Sequence, residues 1–216
     1  MDPDTHARVA ASARECAAST YMVVHAALAA ALGDAGAGRD LPIGLPLSGR
    51  DEAALDGLIG CVVNMVVLRT DTSGEPTYRE LIGRVRDRLL AAHDHQDFPF
   101  DRVVELLNPP RSSRRHPVFQ TAVTYLHLDP AAGEETWPDG PSVRIRPMPL
   151  AHTELDLLFQ FRELRDPGNG PGGIEGELLY SSSLVTKETA THIVDSFKAR
   201  LSALCTDLDA RVDVRR

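Results

Sequence analysis

From Leu58 to Asp71 the chain reads LIGCVVNMVVLRTD. An almost unbroken apolar run with Val62, Val63, Val66 and Val67 together is the composition of a strand buried on both faces, of the kind found in the middle of a sheet. One amide, Asn64, interrupts the run and one charge, Arg69, closes it. A buried amide must find hydrogen-bond partners, and two roles fit Asn64: a structural bond to a neighbouring loop, or the lining of a substrate tunnel. A cation at the end of a buried strand is usually ion-paired or solvated, so a site role for Arg69 is the minority alternative.

The segments around this strand alternate between helical and strand patterns. Residues 5–17 can form a helix. A second, YMVVHAALAAALGDA, follows Thr20 as N-cap and carries alanines that permit close packing against a sheet. A short strand is expected at 41–45. Residues 76–92 place Leu81, Val85 and Leu89 on one helical face. A shorter helix, 101–107, is entered through Pro99 and stopped by Pro109 and Pro110. Strand composition recurs at 118–128, 143–149, 155–163 and 174–182, the last three reading as an antiparallel run. A closing helix spans 187–208 behind Thr186. The expected fold is α/β: one domain over residues 1–216, a mixed, mostly antiparallel sheet with helices packed mainly on one face.

With 216 residues the chain can bury one sizeable core. Its 31 acidic residues against 23 Lys plus Arg give a net charge of -8, which argues against a nucleic-acid partner. Cys16, Cys61 and Cys205 are an odd, widely spaced set that forms neither a disulfide framework nor a thiolate metal site. No run approaches the ~18 apolar residues of a membrane span, and no leader pattern opens the sequence. The expected location is the cytoplasm.

Phosphate-loop, dinucleotide, zincin and nucleophile-elbow motifs do not occur. The densest polar cluster is AAHDHQDFPFDR, 91–102, with His93, Asp94, His95, Asp97 and Asp101. Its spacing is too weak for a metal site, and none is expected. The simpler reading places His95, Gln96 and Asp97 where a helix stops, capping exposed backbone groups while Phe98 and Phe100 anchor the corner. HTELD offers His152 followed four residues later by Asp156, the order of a general base and its orienting carboxylate. In a strand, however, that separation exceeds ~10 Å, which disfavours a direct pair unless the chain bends. Ser181, Ser182 and Ser183 cluster at a strand end with no identifiable base. Arg111, Arg114 and Arg115 are a solvated loop or, less favoured, a local basic patch.

These same residues carry a family resemblance. DLPIGLPLSGR (40–50), LDGLIGCVVNMVVLR (55–69), HQDFPFDRVVELL (95–107), RSSRRHPVFQTAVTY (111–125), and LDLLFQF with ELLYSSSLV (155–185) resemble, in order and spacing, the second half of the condensation domain of nonribosomal peptide synthetases. The likeness covers about 20–205. It implies a chloramphenicol acetyltransferase-like lobe, one of two that form a V around a tunnel, with a floor loop and a latch from this lobe bridging to the other. The implied reaction joins an acyl or peptidyl thioester to an aminoacyl thioester. Both substrates arrive on phosphopantetheine arms of carrier proteins, and no cofactor is bound directly. Asn64 and Arg69 fall on the family's recurring Asn and Arg, His95, Gln96 and Asp97 on its HQD motif, and Asp156 on its downstream Asp-Leu motif. Ser181 joins them as a tunnel or structural candidate; Arg111, Arg114 and Arg115 are the candidates for carrier docking.

The chain departs from that family in one decisive respect. The HHxxxDG motif of the first lobe is absent, and no two of the eight histidines are adjacent. Val63 and Met65 also replace the usual Phe and Thr beside the family's Asn. Two roles follow as expectations. One is the second half of a split condensation enzyme, with the missing lobe or another synthetase subunit and carrier proteins as partners. The other is a noncatalytic lobe that docks a carrier protein or a synthetase, or self-associates as a homo-oligomer.

Overall fold

The helix that organises the molecule is hydrophobic on every side. Ser19, and not the Thr20 expected, caps it, accepting a hydrogen bond from the Met22 N–H at 3.3 Å, and α2 then runs Thr20–Asp34 with every residue from Tyr21 to Gly33 buried. A helix apolar all round belongs at the centre of a core, and its short alanines let neighbours approach closely. The structure, a computed structural model, describes residues 1–50, 53–55, 57–110, 112, 115–128, 134–136, 142–144, 153–166 and 168–213.

Three helices surround α2. They are α1 (Pro3–Glu15), α3 (Tyr78–His93) and α5 (Lys187–Thr206). Their starts follow local chemistry legible in the sequence: Asp2 caps α1, Thr77 and Glu80 form a reciprocal capping box on α3, and Thr186 caps α5. A fourth surface helix, α4 (Phe100–Leu107), starts at Pro99 and ends on Asn108 in the left-handed region at φ +40°.

The helix layer covers one face of a five-stranded sheet. Its strands are β1 (Asp40–Leu47), β2 (Asn64–Asp71), β3 (Thr121–Leu128), β6 (Leu157–Arg165) and β7 (Pro171–Tyr180), in the order β2-β1-β3-β6-β7. A separate two-stranded ladder pairs β4 (Glu134–Thr136) with β5 (Ser142–Arg144). Antiparallel pairing joins β1 to β2, β6 to β7 and β4 to β5; β3 runs parallel to both β1 and β6. Leu157, Phe159 and Phe161 alternate inward along β6 and meet Leu41, Ile43, Leu68, Val123 and the residues of α2 in one core. The expected α/β fold with a mixed sheet and helices mainly on one face is the fold observed, the five-stranded sheet having two antiparallel and two parallel pairings.

Two expectations about the sheet are corrected. The Val-rich segment is not a central strand: among the described residues β2 is the edge, paired only with β1, and Val63 lies outside it, 54% exposed. Its apolar residues serve two helices instead of two neighbouring strands, with Leu68 buried in the core that α3 shares and Met65 and Val67 facing a groove beside α4. The three late strands are also not one antiparallel run. β5 pairs with β4, and β6 lies between β3 and β7.

One glycine fixes how β1 meets β3. The two strands pair only at Ile43–Thr121 and Gly44–Ala122, and a Cβ on Gly44 would stand 2.5 Å from the Phe119 ring. Phe119 therefore lies flat over the backbone of β1, a place only glycine leaves open.

Candidate functional site

Asn64 opens β2, and its side chain spans the gap to the turn between α3 and α4. Its Nδ2 donates to the carbonyls of Gln96 at 2.6 Å and Phe98 at 2.8 Å, while its Oδ1 accepts from the N–H of Met65 at 2.9 Å and of Phe100 at 3.1 Å. All four hydrogen-bonding positions of the amide are used, and the two facing carbonyls fix which end is nitrogen. These four bonds are the kind the structural role of Asn64 calls for. It joins the strand to the HQDFPF turn thirty-odd residues later.

The turn itself is built differently from the expectation. α3 stops at His93, and the N–H groups of His95, Gln96 and Phe98 bond to carbonyls three residues back. His95 and Asp97 are exposed and Gln96 is half-buried, its Nε2 3.2 Å from His93 Nδ1. The carbonyls of Gln96 and Phe98 are satisfied by Asn64 and not by capping from His95 or Asp97. Only one of the two phenylalanines anchors the corner. Phe100 stacks on His116 at 5.6 Å between centroids, His116 lies 4.0 Å from Phe119, and Phe119 covers Gly44. Burial between these rings lowers the affinity of His116 for a proton, and its Nδ1 accepts the Phe119 N–H at 3.5 Å. Phe98 is 47% exposed instead, on the rim of an apolar groove of about 450 Å³ lined by Met65, Val67, Ala92, His95, Phe100 and Val103.

The other predicted residues lie elsewhere. Arg69 is five residues from Asn64, so it projects from the opposite face of β2, roughly 17 Å along the strand. There it forks onto Asp40 of β1, with Nε at 2.8 and 2.9 Å from the two carboxylate oxygens, and holds the Asp40 carboxyl below its usual range. It is ion-paired and exposed. Asp156 and Ser181 do meet, through the backbone: the Ser181 N–H donates to the Asp156 carbonyl at 3.1 Å, and Ser181 Oγ lies 3.0 Å from Ser183 Oγ. Asp156 lines a second cleft of about 400 Å³ with Leu41, Ile43, Gln120, Thr121 and Val185, and Ser181 is not among the lining residues. It shares no lining residue with the groove at Asn64. Arg115 is exposed; Arg111, Arg114 and His152 lie outside the described residues. No three metal-ligating side chains come together among the described residues.

Sequence reasoning missed the most polar feature of the core. Glu163, fully buried near the end of β6, receives Thr20 Oγ1 at 2.5 Å, Tyr125 OH at 2.8 Å, His6 Nε2 at 3.1 Å and Arg165 at 2.8 Å, with His127 at 3.3 Å. The Gly173 N–H donates to His6 Nδ1 at 3.2 Å, which leaves the His6 proton on Nε2, pointing at Glu163. Burial alone would raise the carboxyl's pKa; the hydrogen bonds from Thr20 and Tyr125 and the charge of Arg165 outweigh it and hold the carboxyl below its usual range. The available signal was parity: Glu163 continues the inward alternation of Leu157, Phe159 and Phe161. A second buried histidine, His25 of α2, lies between Tyr21 OH at 2.9 Å and Thr70 Oγ1 at 2.8 Å, and burial pushes its pKa down to about 4.

A mixed five-stranded sheet under one layer of helices, with an open groove at the edge strand, defines a chloramphenicol acetyltransferase-like α/β lobe. The chain belongs to the condensation-domain family, whose model matches residues 1–214. It is 42% identical over 98% of its length to a dimodular nonribosomal peptide synthase of Bacillus subtilis (strain 168). It is 38% identical over 99% to a probable non-canonical nonribosomal peptide synthetase, CymA, of Salinispora arenicola (strain CNS-205). It spans only 9% and 3% of those two proteins. Among solved structures it matches the X-domain from teicoplanin biosynthesis at 32% identity and a TM-score of 0.89, covering all of this chain and 48% of that one. The complex of that X-domain with OxyB matches at 33% and 0.87, again over all of this chain and 46% of the other. The condensation domain of the Monacolin K polyketide synthase MokA, 19% identical with a TM-score of 0.82, shares the fold. Among the described residues no single helix is long and apolar enough to cross a membrane.

Proposed function

We propose that this chain is the C-terminal half of a nonribosomal peptide synthetase condensation domain, which forms an amide between two carrier-bound thioesters once an N-terminal lobe completes it. The observation that carries this reading is one of proportion: the whole chain matches a little under half of each solved domain, and it contains no His-His pair. The missing half would bring the histidine that assists attack by the amine.

In this reading the chain's own residues position and exclude. The Asn64 amide holds the HQDFPF turn against β2, so the groove wall made by Met65, Phe98 and Phe100 keeps one shape while a phosphopantetheine arm enters. Such a wall excludes water from the amine and thioester as they meet, and charge developing on the carbonyl oxygen is stabilised by groups from both halves. Arg69, Asp156 and Ser181 act in this account as supports of the lobe, while His95, Gln96 and Asp97 form the turn that Asn64 holds. The exposed Arg115, with Arg111 and Arg114, is assigned to docking of acidic carrier proteins.

A second reading, a noncatalytic docking lobe, is favoured by one finding: the X-domain it resembles at TM-score 0.87 was solved in complex with OxyB. Intact-protein mass spectrometry of two loaded carrier proteins separates the readings. Amide product with this chain plus a histidine-bearing first lobe, and none with either alone, supports the split enzyme. Tight carrier or protein binding without product in any mixture supports the docking lobe.

A further inference from the structure

The cleft that Asp156 lines sits towards the opposite end of the sheet from Asn64. Leu47 of β1 pairs with Asn64, whereas the cleft takes Leu41, Pro42 and Ile43, roughly 13–20 Å back along the same strand. A gap in the sheet makes room for it. β1 meets β3 only at Ile43–Thr121 and Gly44–Ala122, so Leu41 and Pro42 have no β3 residue beside them, and the C-terminal end of α2 lines the space with them.

The walls are apolar, from residues such as Leu41, Ile43 and Val185, and the polar side chains set into them are Gln120, Thr121 and Asp156. No Lys, Arg or His stands among the described lining residues, so Asp156 is the one charge there. Its backbone is fixed on both sides. The Ser181 N–H donates to the Asp156 carbonyl at 3.1 Å, and the N–H of the next residue, Leu157, donates to the Gln120 carbonyl at 3.2 Å. That second bond sets Gln120 beside Asp156 on the neighbouring strand, about 5 Å away. The Gln120 side chain is itself held: its Nε2 donates to the His116 carbonyl at 2.8 Å, which leaves Oε1 a buried acceptor with no hydrogen-bond partner. An unmet buried acceptor costs stability, and the C-terminal end of α2 adds partial negative charge to the same space. A carboxylate, an unpaired carbonyl oxygen and a helix C-terminus all favour a cationic donor.

We infer that this cleft is a small-molecule site for a primary alkylammonium ion, whose charged head donates to the Asp156 carboxylate and to Gln120 Oε1 while its alkyl chain lies on Leu41, Ile43 and Val185. An ammonium carries three donors, enough for both acceptors. The volume of about 400 Å³ lies in the range of small-molecule sites. The site stands apart from the half-domain reading, because every group it uses belongs to this chain and none lines the groove at Asn64.

The test titrates the full chain with butylammonium chloride, with butanol and sodium butyrate as matched probes at constant ionic strength, followed by methyl and side-chain amide NMR. Butylammonium should shift the methyl signals of Leu41, Ile43 and Val185 and the side-chain amide of Gln120. It should bind at least about tenfold more tightly than butanol, and butyrate should not bind. Asp156→Asn keeps the shape and removes the charge; it should weaken butylammonium by about tenfold or more and leave butanol unchanged. Equal binding of butylammonium and butanol, or equal binding of butylammonium by the wild type and Asp156→Asn, overturns the inference. So does butylammonium binding that leaves the three methyl residues unmoved, which would place it elsewhere on the acidic surface. A Gln120 amide that stays fixed while the methyls shift overturns the assignment of Oε1. If Asp156→Asn does not fold, the three probes on the wild type decide the question by themselves.

Discussion

The side-chain amide of Asn64 donates to the carbonyl of Phe98 at 2.8 Å across 34 positions of sequence. With its three companion bonds this contact fastens the edge strand to the turn that carries the HQDFPF motif. Removing it should loosen the turn without dismantling the core. Asn64→Ala is expected to lose about 1–3 kcal/mol by urea denaturation, and exchange of the Phe100 amide should accelerate. Asn64→Asp should be the worse of the two, since it aims an anionic oxygen at two carbonyls.

The close approach of Phe119 to Gly44 sets a second expectation. Gly44→Ala places a methyl 2.5 Å from the ring and should destabilise by about 1–3 kcal/mol. Phe119→Leu in the same chain makes room for that methyl. The double mutant should therefore be more stable than the sum of the single changes predicts, by at least about 0.5 kcal/mol in a double-mutant cycle.

His25 makes stability depend on mild acid. Its folded pKa, pushed down to about 4, lies below the ordinary 6.5, so the neutral ring favours the folded state fully above pH 6.5. That contribution is lost as pH falls from 6.5 towards 4, by an amount on the order of 3 kcal/mol. His25→Gln should flatten the denaturation midpoint over that window, at some loss of stability at neutral pH.

Glu163 acts lower on the pH scale. Its carboxyl is also held below its usual value, so its contribution is present above the unfolded pKa of 4.5 and disappears as pH falls through the lower folded value. Glu163→Gln strands the donors of Arg165 and His6 and should cost about 3–5 kcal/mol at pH 7. Its stability should then change less than that of the wild type below pH 4.5, measured by urea midpoints across pH.

These residues also show what the amino-acid sequence made legible. The start of α5 was readable because a Thr cap acts over three residues, as Thr186 does, whereas α2 is capped by Ser19, one residue before the Thr20 expected. Asn64 stood out because an amide inside an apolar run must be satisfied, yet its partners, the carbonyls of Gln96 and Phe98, depend on how two helices turn. The place of β2 at the edge was hidden because burial by α3 and by the groove beside α4 leaves the same apolar pattern as burial between two strands. Glu163 was missed because a charge at the end of a strand reads as solvent-facing unless its parity is followed inward from Phe161. The family was readable from the ordered motifs, whereas the clustering of Phe100, His116, Phe119 and Gly44 required the folded chain.

The most direct measurement is a titration of this chain into a fixed amount of a histidine-bearing first lobe, with two loaded carrier proteins present and the amide product followed by intact-protein mass spectrometry. The account predicts no product from either piece alone and product formation that saturates at one chain per lobe. Turnover by this chain alone, or none at any ratio with a lobe it demonstrably binds, would contradict it.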